Sequence, residues 1–336
     1  MVRTDELTPF FFLAIFLAVL VAGDNARGDT FIGSIIVSSD MPGDTDYLSI
    51  YSLTGDQLHS VSLDPEQIIG PSAIAARPRG VALDANGNIQ LFYGTFGPRL
   101  YTYNPITSTA TSTPIENWGL VNNVYYGSIA SYGNYVFLPD TVVSGAPGAG
   151  VIRVDINSLS AEHFPMGLNT SGGGVVNATV GLDDLLYVTF SYMAGISVYN
   201  PDTMAQINNI TSSHISEKGF AVDADGTIFQ GIYNKIRKIA PDGSLIEEHS
   251  FATENSNLDG FIDVDIRPDG LIVASNGYGQ ILVTDKNFST ASVFEPFLSH
   301  PDTFVSFFEY PTPEPGCFVM VITGVLSILS CRRIRR

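Results

Sequence analysis

GFAVDADGTIFQGIYNKIRKIAPDGSLIEE, residues 219–248, shows most clearly how this chain folds. Apolar and polar residues alternate there in four short runs, at 219–223, 227–231, 235–239 and 244–248. Such alternation is typical of β-strands that bury one face. Ala-Asp-Gly follows the first run and Pro-Asp-Gly the third, and glycine supplies the positive φ angle that tight hairpin turns need. The stretch therefore predicts a four-stranded antiparallel meander of about 30 residues.

The same pattern recurs in four further copies. Their strands are predicted at 79–84, 88–94, 99–104 and 108–115; at 128–132, 135–140, 150–155 and 161–165; at 177–182, 185–190, 195–200 and 204–210; and at 262–267, 271–276, 280–285 and 291–294. Successive copies begin about 40 to 50 residues apart, which is the period of β-propeller blades.

The remaining strands lie at opposite ends of the chain. Three are predicted at 31–37, 47–53 and 57–63, and one at 303–310. Together they complete one more sheet, and pairing the first segment with the last closes the ring and removes exposed sheet edges. We therefore predict an all-β fold, a six-bladed β-propeller over residues 29–310 that is closed by its C-terminal strand.

Charge and cysteine content limit the partners of this body. The chain carries a net charge of −18, and the C-terminal tail contains four Arg against one Glu, so the body is more acidic than the chain as a whole. An acidic body repels nucleic acid and anionic lipid, and neither is an expected partner. The two cysteines, Cys317 and Cys331, both lie in the tail. The body is therefore expected to fold without disulfides.

The N-terminus predicts export. Arg3 precedes an apolar run at 9–22, and small residues follow it. This is the pattern of a secretory signal peptide, here residues 1–28, which directs export by a Sec-type route. Cleavage is predicted after Gly23 or Gly28. A retained membrane anchor is the alternative, but a run of about 14 residues is short for one.

The C-terminus predicts a membrane segment. Pro313, Glu314 and Pro315 precede an apolar run at 317–331, and a basic cluster ends the chain. That cluster consists of Arg332, Arg333, Arg335 and Arg336. A short apolar segment with a basic end keeps that end cytoplasmic, so the body is expected outside.

In these residues the chain resembles the PEP-CTERM sorting signal of bacterial exosortase substrates, which has the same three parts in the same order. The resemblance covers residues 311–336. It implies a protein that is exported, held at the inner membrane by its tail and processed near Pro313 by an exosortase, to reach the cell surface or an extracellular polysaccharide matrix. An ordinary tail anchor is the alternative, and the short, cysteine-flanked apolar run departs from the pattern.

The body resembles NHL-repeat and gluconolactonase-like propellers. The residues that carry the resemblance are GVALDANGNI at 80–89, GFAVDADGTI at 219–228 and, more weakly, IDVDIRPDGLIV at 262–273. The Asp-rich turns in them are interpreted as hairpins rather than calcium loops, because further oxygen ligands are missing.

The resemblance also raises an enzymatic alternative. Lactonases of the propeller group hold a divalent metal on the axis with Glu, Asn and Asp side chains from different blades. The corresponding candidates after the second strand of each blade are Asp40, Asp140, Asn234 and Asn276. No Glu occupies such a position, so the ligand set is incomplete and no catalytic residue is assigned. A calcium-dependent hydrolase is therefore kept only as the alternative function.

Aromatic side chains are more frequent on the same loops. The candidates are Tyr93, Phe96, Tyr192, Tyr233 and Tyr278, next to Asn234, Asn276 and Ser191. Flat rings beside amides suit sugar recognition, although such rings also fill the space between blades. The sequence therefore favours a non-enzymatic module that binds a glycan or a protein.

Overall fold

The computed structural model describes residues 31–40, 46–63, 78–93, 99–114, 128–140, 149–168, 174–190, 195–251, 260–296 and 302–308. Within these ranges the chain forms 24 β-strands arranged in six four-stranded antiparallel sheets. The same ranges contain no helix that could span a membrane. The predicted signal peptide, the sorting residues from Pro313 to Arg336, and the predicted boundaries at 29 and 310 lie outside the described residues.

Each sheet is one blade. Blade 1 contains β1 (Ile35–Asp40), β2 (Asp46–Tyr51), β3 (Gln57–Leu63) and β24 (Asp302–Phe307). Blade 2 contains β4 (Pro78–Leu83), β5 (Ile89–Tyr93), β6 (Arg99–Asn104) and β7 (Thr109–Pro114). Blade 3 contains β8 (Ala130–Tyr132), β9 (Tyr135–Asp140), β10 (Ala149–Asp155) and β11 (Ala161–Leu168).

The second half of the ring follows the same plan. Blade 4 contains β12 (Val175–Val180), β13 (Leu186–Phe190), β14 (Gly195–Tyr199) and β15 (Gln206–Thr211). Blade 5 contains β16 (Phe220–Val222), β17 (Ile228–Ile232), β18 (Lys235–Ile239) and β19 (Leu245–Ser250). Blade 6 contains β20 (Phe261–Ile266), β21 (Leu271–Asn276), β22 (Ile281–Asp285) and β23 (Ala291–Phe294).

The six inner strands surround a central axis. They are β24, β4, β8, β12, β16 and β20, and each contacts the inner strands of the two neighbouring blades. All six run in one direction, which defines two faces. We call the face with the turns between second and third strands, such as Tyr233–Asn234, the front face. The back face carries the turns between first and second strands, such as 84–88 and 223–227.

Apolar side chains fill the space between neighbouring blades. Ile36 and Ile50 of blade 1, for example, pack in one buried cluster with Val81 and Ile89 of blade 2. The other clusters also join adjacent blades. One of them, for example, packs Phe229 of blade 5 against buried apolar residues of blade 6. Burial between sheets therefore supplies the main stabilisation, at about 25 cal/mol per Å² of apolar surface removed from water.

The ring closes between the two ends of the chain. Strand β24 pairs antiparallel with β1, with Phe307 opposite Ile35. The pairing continues past the strands, because Gly33 N–H donates to the Phe308 carbonyl and Phe308 N–H to the Ser34 carbonyl, both at 2.9 Å. The predicted six-bladed, all-β ring and its composite blade are confirmed.

Strand ends differ from the predicted ones by a few residues. Strand β1 begins at Ile35 rather than at 31, because residues 31–33 form a turn closed by Ser34 N–H on the Phe31 carbonyl at 3.0 Å. Strand β8 begins at Ala130, because the Ser128 N–H is taken by the side chain of Asn177 at 3.0 Å. Side-chain hydrogen bonds of this kind compete with the ladder and are not visible as alternation.

Candidate functional site

The structure describes two of the five predicted aromatic residues completely. Tyr233 and Tyr278 lie on the front face, in adjacent blades. For Tyr93, which ends β5, only the backbone is described, and Phe96 and Tyr192 lie outside the described residues, as Ser191 does.

Tyr233 occupies a strained position in the hairpin between β17 and β18. Its φ angle is 49°, in the left-handed region that bulky residues rarely adopt. The backbone is held there by Ile232 pairing with Lys235 and by the Phe261 N–H, which donates to the Tyr233 carbonyl at 3.3 Å. The side chain is 71% exposed. The fold therefore keeps an aromatic ring in water at a conformational cost of about 1 to 2 kcal/mol.

Tyr278 projects from the corresponding turn of blade 6. Its side chain is 48% exposed, and its backbone N–H donates to Oδ1 of Asn276 at 3.0 Å. The same oxygen accepts the Gln280 N–H at 2.9 Å, and the Asn276 amide donates to Oε1 of Gln280 at 2.8 Å. Asn276 is fully buried and shapes the turn that presents Tyr278.

The remaining amide candidate is Asn234. Its side chain is half-buried, and its carbonyl accepts the Phe251 N–H at 3.0 Å. This bond ties the turn to the chain that leaves blade 5. Asn234 therefore lies beside the exposed Tyr233 ring on a well-anchored turn.

The predicted metal ligands Asp140 and Asp40 lie at the front ends of second strands in different blades. Asp140 is buried at the front end of β9, and its Oδ2 lies 3.0 Å from Nε2 of His163 on the outer strand β11. Asp40 ends β1, and its side chain is not described. Among the described residues, no three His, Cys, Asp or Glu side chains come together in a group that could hold a metal ion.

A cavity of about 680 Å³ follows the axis on the back side of the ring. It is lined by residues of the inner strands, such as Val81, Val264 and Val305. Its rim includes Tyr132 and Asp184. The cavity also contains Asp263 and Asp265, which sequence reasoning missed.

Asp263 and Asp265 are two buried carboxyl groups on the inner strand β20. Oδ2 of Asp263 accepts the Val305 N–H at 3.1 Å, and Oδ2 of Asp265 accepts the Phe307 N–H at 2.8 Å. Asp265 also accepts the Ser306 hydroxyl at 3.0 Å. The two carboxyl groups therefore bind the inner edge of the closing strand β24, where no further strand pairs with it.

Burial changes the protonation of this pair. It raises the pKa of Asp263 to about 8, against the opposing effect of the Val305 and Val264 N–H groups. The neighbouring carboxyl of Asp265 contributes to this raised pKa, and burial also raises the pKa of Asp265 itself. Asp263 can thus hold a proton at neutral pH.

Ser128 of the opposite blade and Asp263 both line the axial cavity, and the Ser128 hydroxyl lowers the pKa of Asp263. Oδ1 of Asn177 accepts the Ser128 N–H, and the Asn177 amide donates to the Glu217 carbonyl. Blades 3 and 4 and the segment that leads into blade 5 are therefore connected by hydrogen bonds near the axis. In the sequence, the pair Asp263 and Asp265 is visible only as FIDVDI at 261–266, where two carboxylates alternate with apolar residues.

Comparison with solved structures places this geometry among known folds. A chain of a nidogen/laminin complex matches with a TM-score of 0.58 and 11% identity, over 82% of this chain and 99% of that one. A catalytically inactive virginiamycin B lyase from Staphylococcus aureus with quinupristin matches with a TM-score of 0.51 and 12% identity, over 79% and 86% of the two chains.

A streptogramin B lyase matches with a TM-score of 0.50 and 13% identity, over 80% of this chain and 89% of that one. These neighbours are β-propellers. Identities this low show the fold alone, and the propellers include both a protein of a binding complex and lyases. No protein-family model matches the sequence, and no curated protein matches it significantly.

Proposed function

We propose that this protein is an exported, non-enzymatic β-propeller that binds a neutral extracellular polysaccharide on its front face. The observation that carries the proposal is Tyr233, which is 71% exposed although its φ angle of 49° is unfavourable for tyrosine. Strained residues that persist on a rigid scaffold tend to mark functional sites. Glycine or asparagine would form the same turn with less strain, so the ring itself is what the position supplies.

Tyr278 extends this surface to the next blade. Both rings come from turns between second and third strands, and both turns are fixed by hydrogen bonds of their own backbone. Aromatic faces stack on the apolar faces of sugar rings, and neighbouring amides such as Asn234 can bind hydroxyl groups. The net charge of −18 disfavours anionic glycans, so a neutral polymer is the ligand class that fits.

The location belongs to the same proposal. Its support is the sequence: an N-terminal apolar run, no cysteine between residues 29 and 310, and the tail from Pro313 to Arg336. The partners are then the export machinery and an exosortase. The tail holds the protein at the inner membrane until processing releases it to the cell surface or matrix.

Retention on polysaccharide tests the binding function. The purified chain is run through gels containing cellulose derivatives, dextran or exopolysaccharide from a matrix-forming bacterium. Retardation by a neutral glycan is expected, and Tyr233→Ala and Tyr278→Ala should each abolish most of it. Ile246→Ala, which removes another exposed apolar side chain far from these turns, is the matched control and should leave it unchanged.

An enzyme is the second candidate, favoured by the buried carboxylate of Asp140 at the front end of a second strand. It would be a lactonase-like hydrolase with a calcium ion held among Asp40, Asp140, Asn234 and Asn276. Calcium that copurifies with the chain, and lactone hydrolysis that is lost in Asp140→Ala, would support this candidate. Together with absent glycan retention, they would refute the binding function.

A further inference from the structure

Both ends of the propeller leave it at one point on the back face. Strand β24 runs along the axis from the front face to the back face, and β1 begins beside its end, with Ile35 opposite Phe307. The hydrogen bonds of Phe308 with Gly33 and Ser34 extend this pairing beyond the strands. The segment that follows Phe308 therefore starts on the back face, next to the axis.

Arg267 fixes this exit point. It precedes the back-face turn of blade 6, and its Nη1 donates to the Gly33 carbonyl at 3.2 Å. Its guanidinium also lies over the Phe307 ring, 5.5 Å from the ring centre. Since Ser306 and Phe307 line the axial cavity, the chain leaves the ring close to the mouth of that cavity.

The distance to the apolar segment is short. Eight residues, 309–316, separate Phe308 from the apolar run at 317–331. Fully extended they span at most about 26 to 29 Å. A blade of four strands extends about 15 Å outward from its inner strand, and an inner strand of six residues is about 20 Å long. A tether from the centre of the back face is therefore too short to pass around the rim and turn the front face to the membrane.

We infer that the back face is the membrane-proximal face of the anchored protein, and that the front face with Tyr233 and Tyr278 points away from the lipid bilayer. This inference rests on the anchoring included in the proposed function. The back-face turns carry carboxylates such as Asp225 and Asp269, which anionic lipid does not attract. The orientation therefore comes from the short tether and not from electrostatic attraction to the bilayer.

In this orientation the two faces of the ring have different surroundings. The axial cavity opens toward the membrane, while the aromatic turns of the front face are accessible to a polymer outside the cell. A glycan can therefore be bound while the tail is still attached.

Single cysteine labels test the orientation in the full chain. Cys317 and Cys331 are changed to alanine, and one cysteine is introduced on the back face, Ala85→Cys or Ala224→Cys, or on the front face, Tyr233→Cys or Tyr278→Cys. All four positions are exposed. Each labelled protein is inserted into phosphatidylcholine vesicles with an acceptor dye on the lipid headgroups, and flotation with the vesicles is recorded together with energy transfer.

Energy transfer from the back-face labels should exceed that from the front-face labels about twofold or more, because the two faces lie roughly 20 Å apart. High salt should not change this ratio. Protein that floats with the vesicles but shows equal or reversed transfer refutes the orientation and leaves the anchoring intact. Protein that does not float refutes the anchoring and the orientation with it.

Discussion

Asp263 of blade 6 accepts the backbone N–H of Val305, in the strand that closes the ring, at 3.1 Å. Two residues further along, Asp265 does the same for Phe307 at 2.8 Å. Strand spacing explains the match, because residues two apart face the same side on both strands. The carboxyl groups thus take the place of a fifth strand along the inner edge of β24. Without them, two buried N–H groups would lose partners, at about 1 to 3 kcal/mol each.

The first prediction concerns pH and Asp263→Asn. The pKa of Asp263 is about 8 in the folded protein, whereas an unfolded aspartate titrates near 4. Between these values the folded state binds a proton that the unfolded state has lost. The stability that protonated Asp263 contributes to the folded state is complete below about pH 4 and is lost as the pH rises through about 8. Urea unfolding of the unaltered protein should show a free energy that falls over this window, by up to about 1.4 kcal/mol per pH unit.

Asp263→Asn should flatten that slope, because the amide oxygen still accepts the Val305 N–H but no longer titrates. Asp269→Asn is the matched control, since hydrogen bonds from Arg267 lower the pKa of Asp269 and place its titration below the window. An unchanged slope between about pH 5 and 8, the upper part of the window, in Asp263→Asn would contradict the assignment.

A second prediction concerns truncation at the closing strand. A chain that ends at residue 310 keeps β24 and should unfold cooperatively, like the full chain. A chain that ends at residue 301 lacks β24, exposes the edge of β1 and removes Phe304 and Phe308 from the core. It should lose more than about 5 kcal/mol and fail to fold stably. Circular dichroism with thermal melting compares the two, and a peptide of residues 302–310 added to the shorter chain should restore part of the transition.

Equal melting temperatures for the two truncated chains would show that ring closure contributes little. Recovery by the peptide separates loss of the strand from general misfolding. A scrambled peptide of the same composition is the control.

The third prediction concerns Gly150, which lies between Asp140 and His163. A Cβ at Gly150 would come within 2.1 Å of the Phe164 carbonyl and 2.9 Å of His163 Nε2. The absence of a side chain is therefore what allows His163 to reach across β10 to Asp140. Gly150→Ala should lower the free energy of unfolding by about 3 kcal/mol. Gly133→Ala is the control: its φ is 55° but its Cβ meets nothing within 4 Å, so about 1 kcal/mol is expected.

Chemical denaturation of both variants gives the comparison directly. If Gly150→Ala proved no more destabilising than Gly133→Ala, the close approach of the outer strand would not hold. His163→Ala, which removes the 3.0 Å contact with Asp140, should then also be neutral rather than destabilising.

A fourth prediction separates strain from binding at Tyr233. Tyr233→Gly removes the ring and relieves the left-handed backbone, while glycine adds conformational freedom to the unfolded chain. The two effects oppose each other, so the free energy of unfolding should change by no more than about 1 kcal/mol. Glycan retention should nevertheless be lost. A variant that keeps full retention would show that the exposed ring does not take part in binding.

The propeller could be predicted from sequence because its determinants are local. Alternation with a period of two, Gly-containing turns and a repeat of about 40 to 50 residues are each visible without knowing which strands meet. The composite blade followed from counting strands at both ends of the chain. Strand limits were less accurate where side chains such as Asn177 take a backbone partner from the ladder.

The carboxyl pair could not be predicted in the same way. FIDVDI shows two aspartates on one side of a strand, which normally indicates an exposed face. Only the closed ring makes that side an interior, because β20 faces the inner edge of a strand from the far end of the chain. The exposure of Tyr233 and Tyr278 agrees with their positions in turns. The positive φ angle of Tyr233 left no trace in the sequence, since most such positions hold glycine or asparagine.

The closure of blade 1 also determines the order in which the protein can mature. Strands β1 to β3 are synthesised first, yet their inner partner β24 is the last strand of the described residues to be made. Until it arrives, β1 has an open edge, and contacts between such distant segments form slowly. The ring therefore cannot close before the last of its six blades has been synthesised. Closure of blade 1 makes completion of the propeller depend on the segment that is made last.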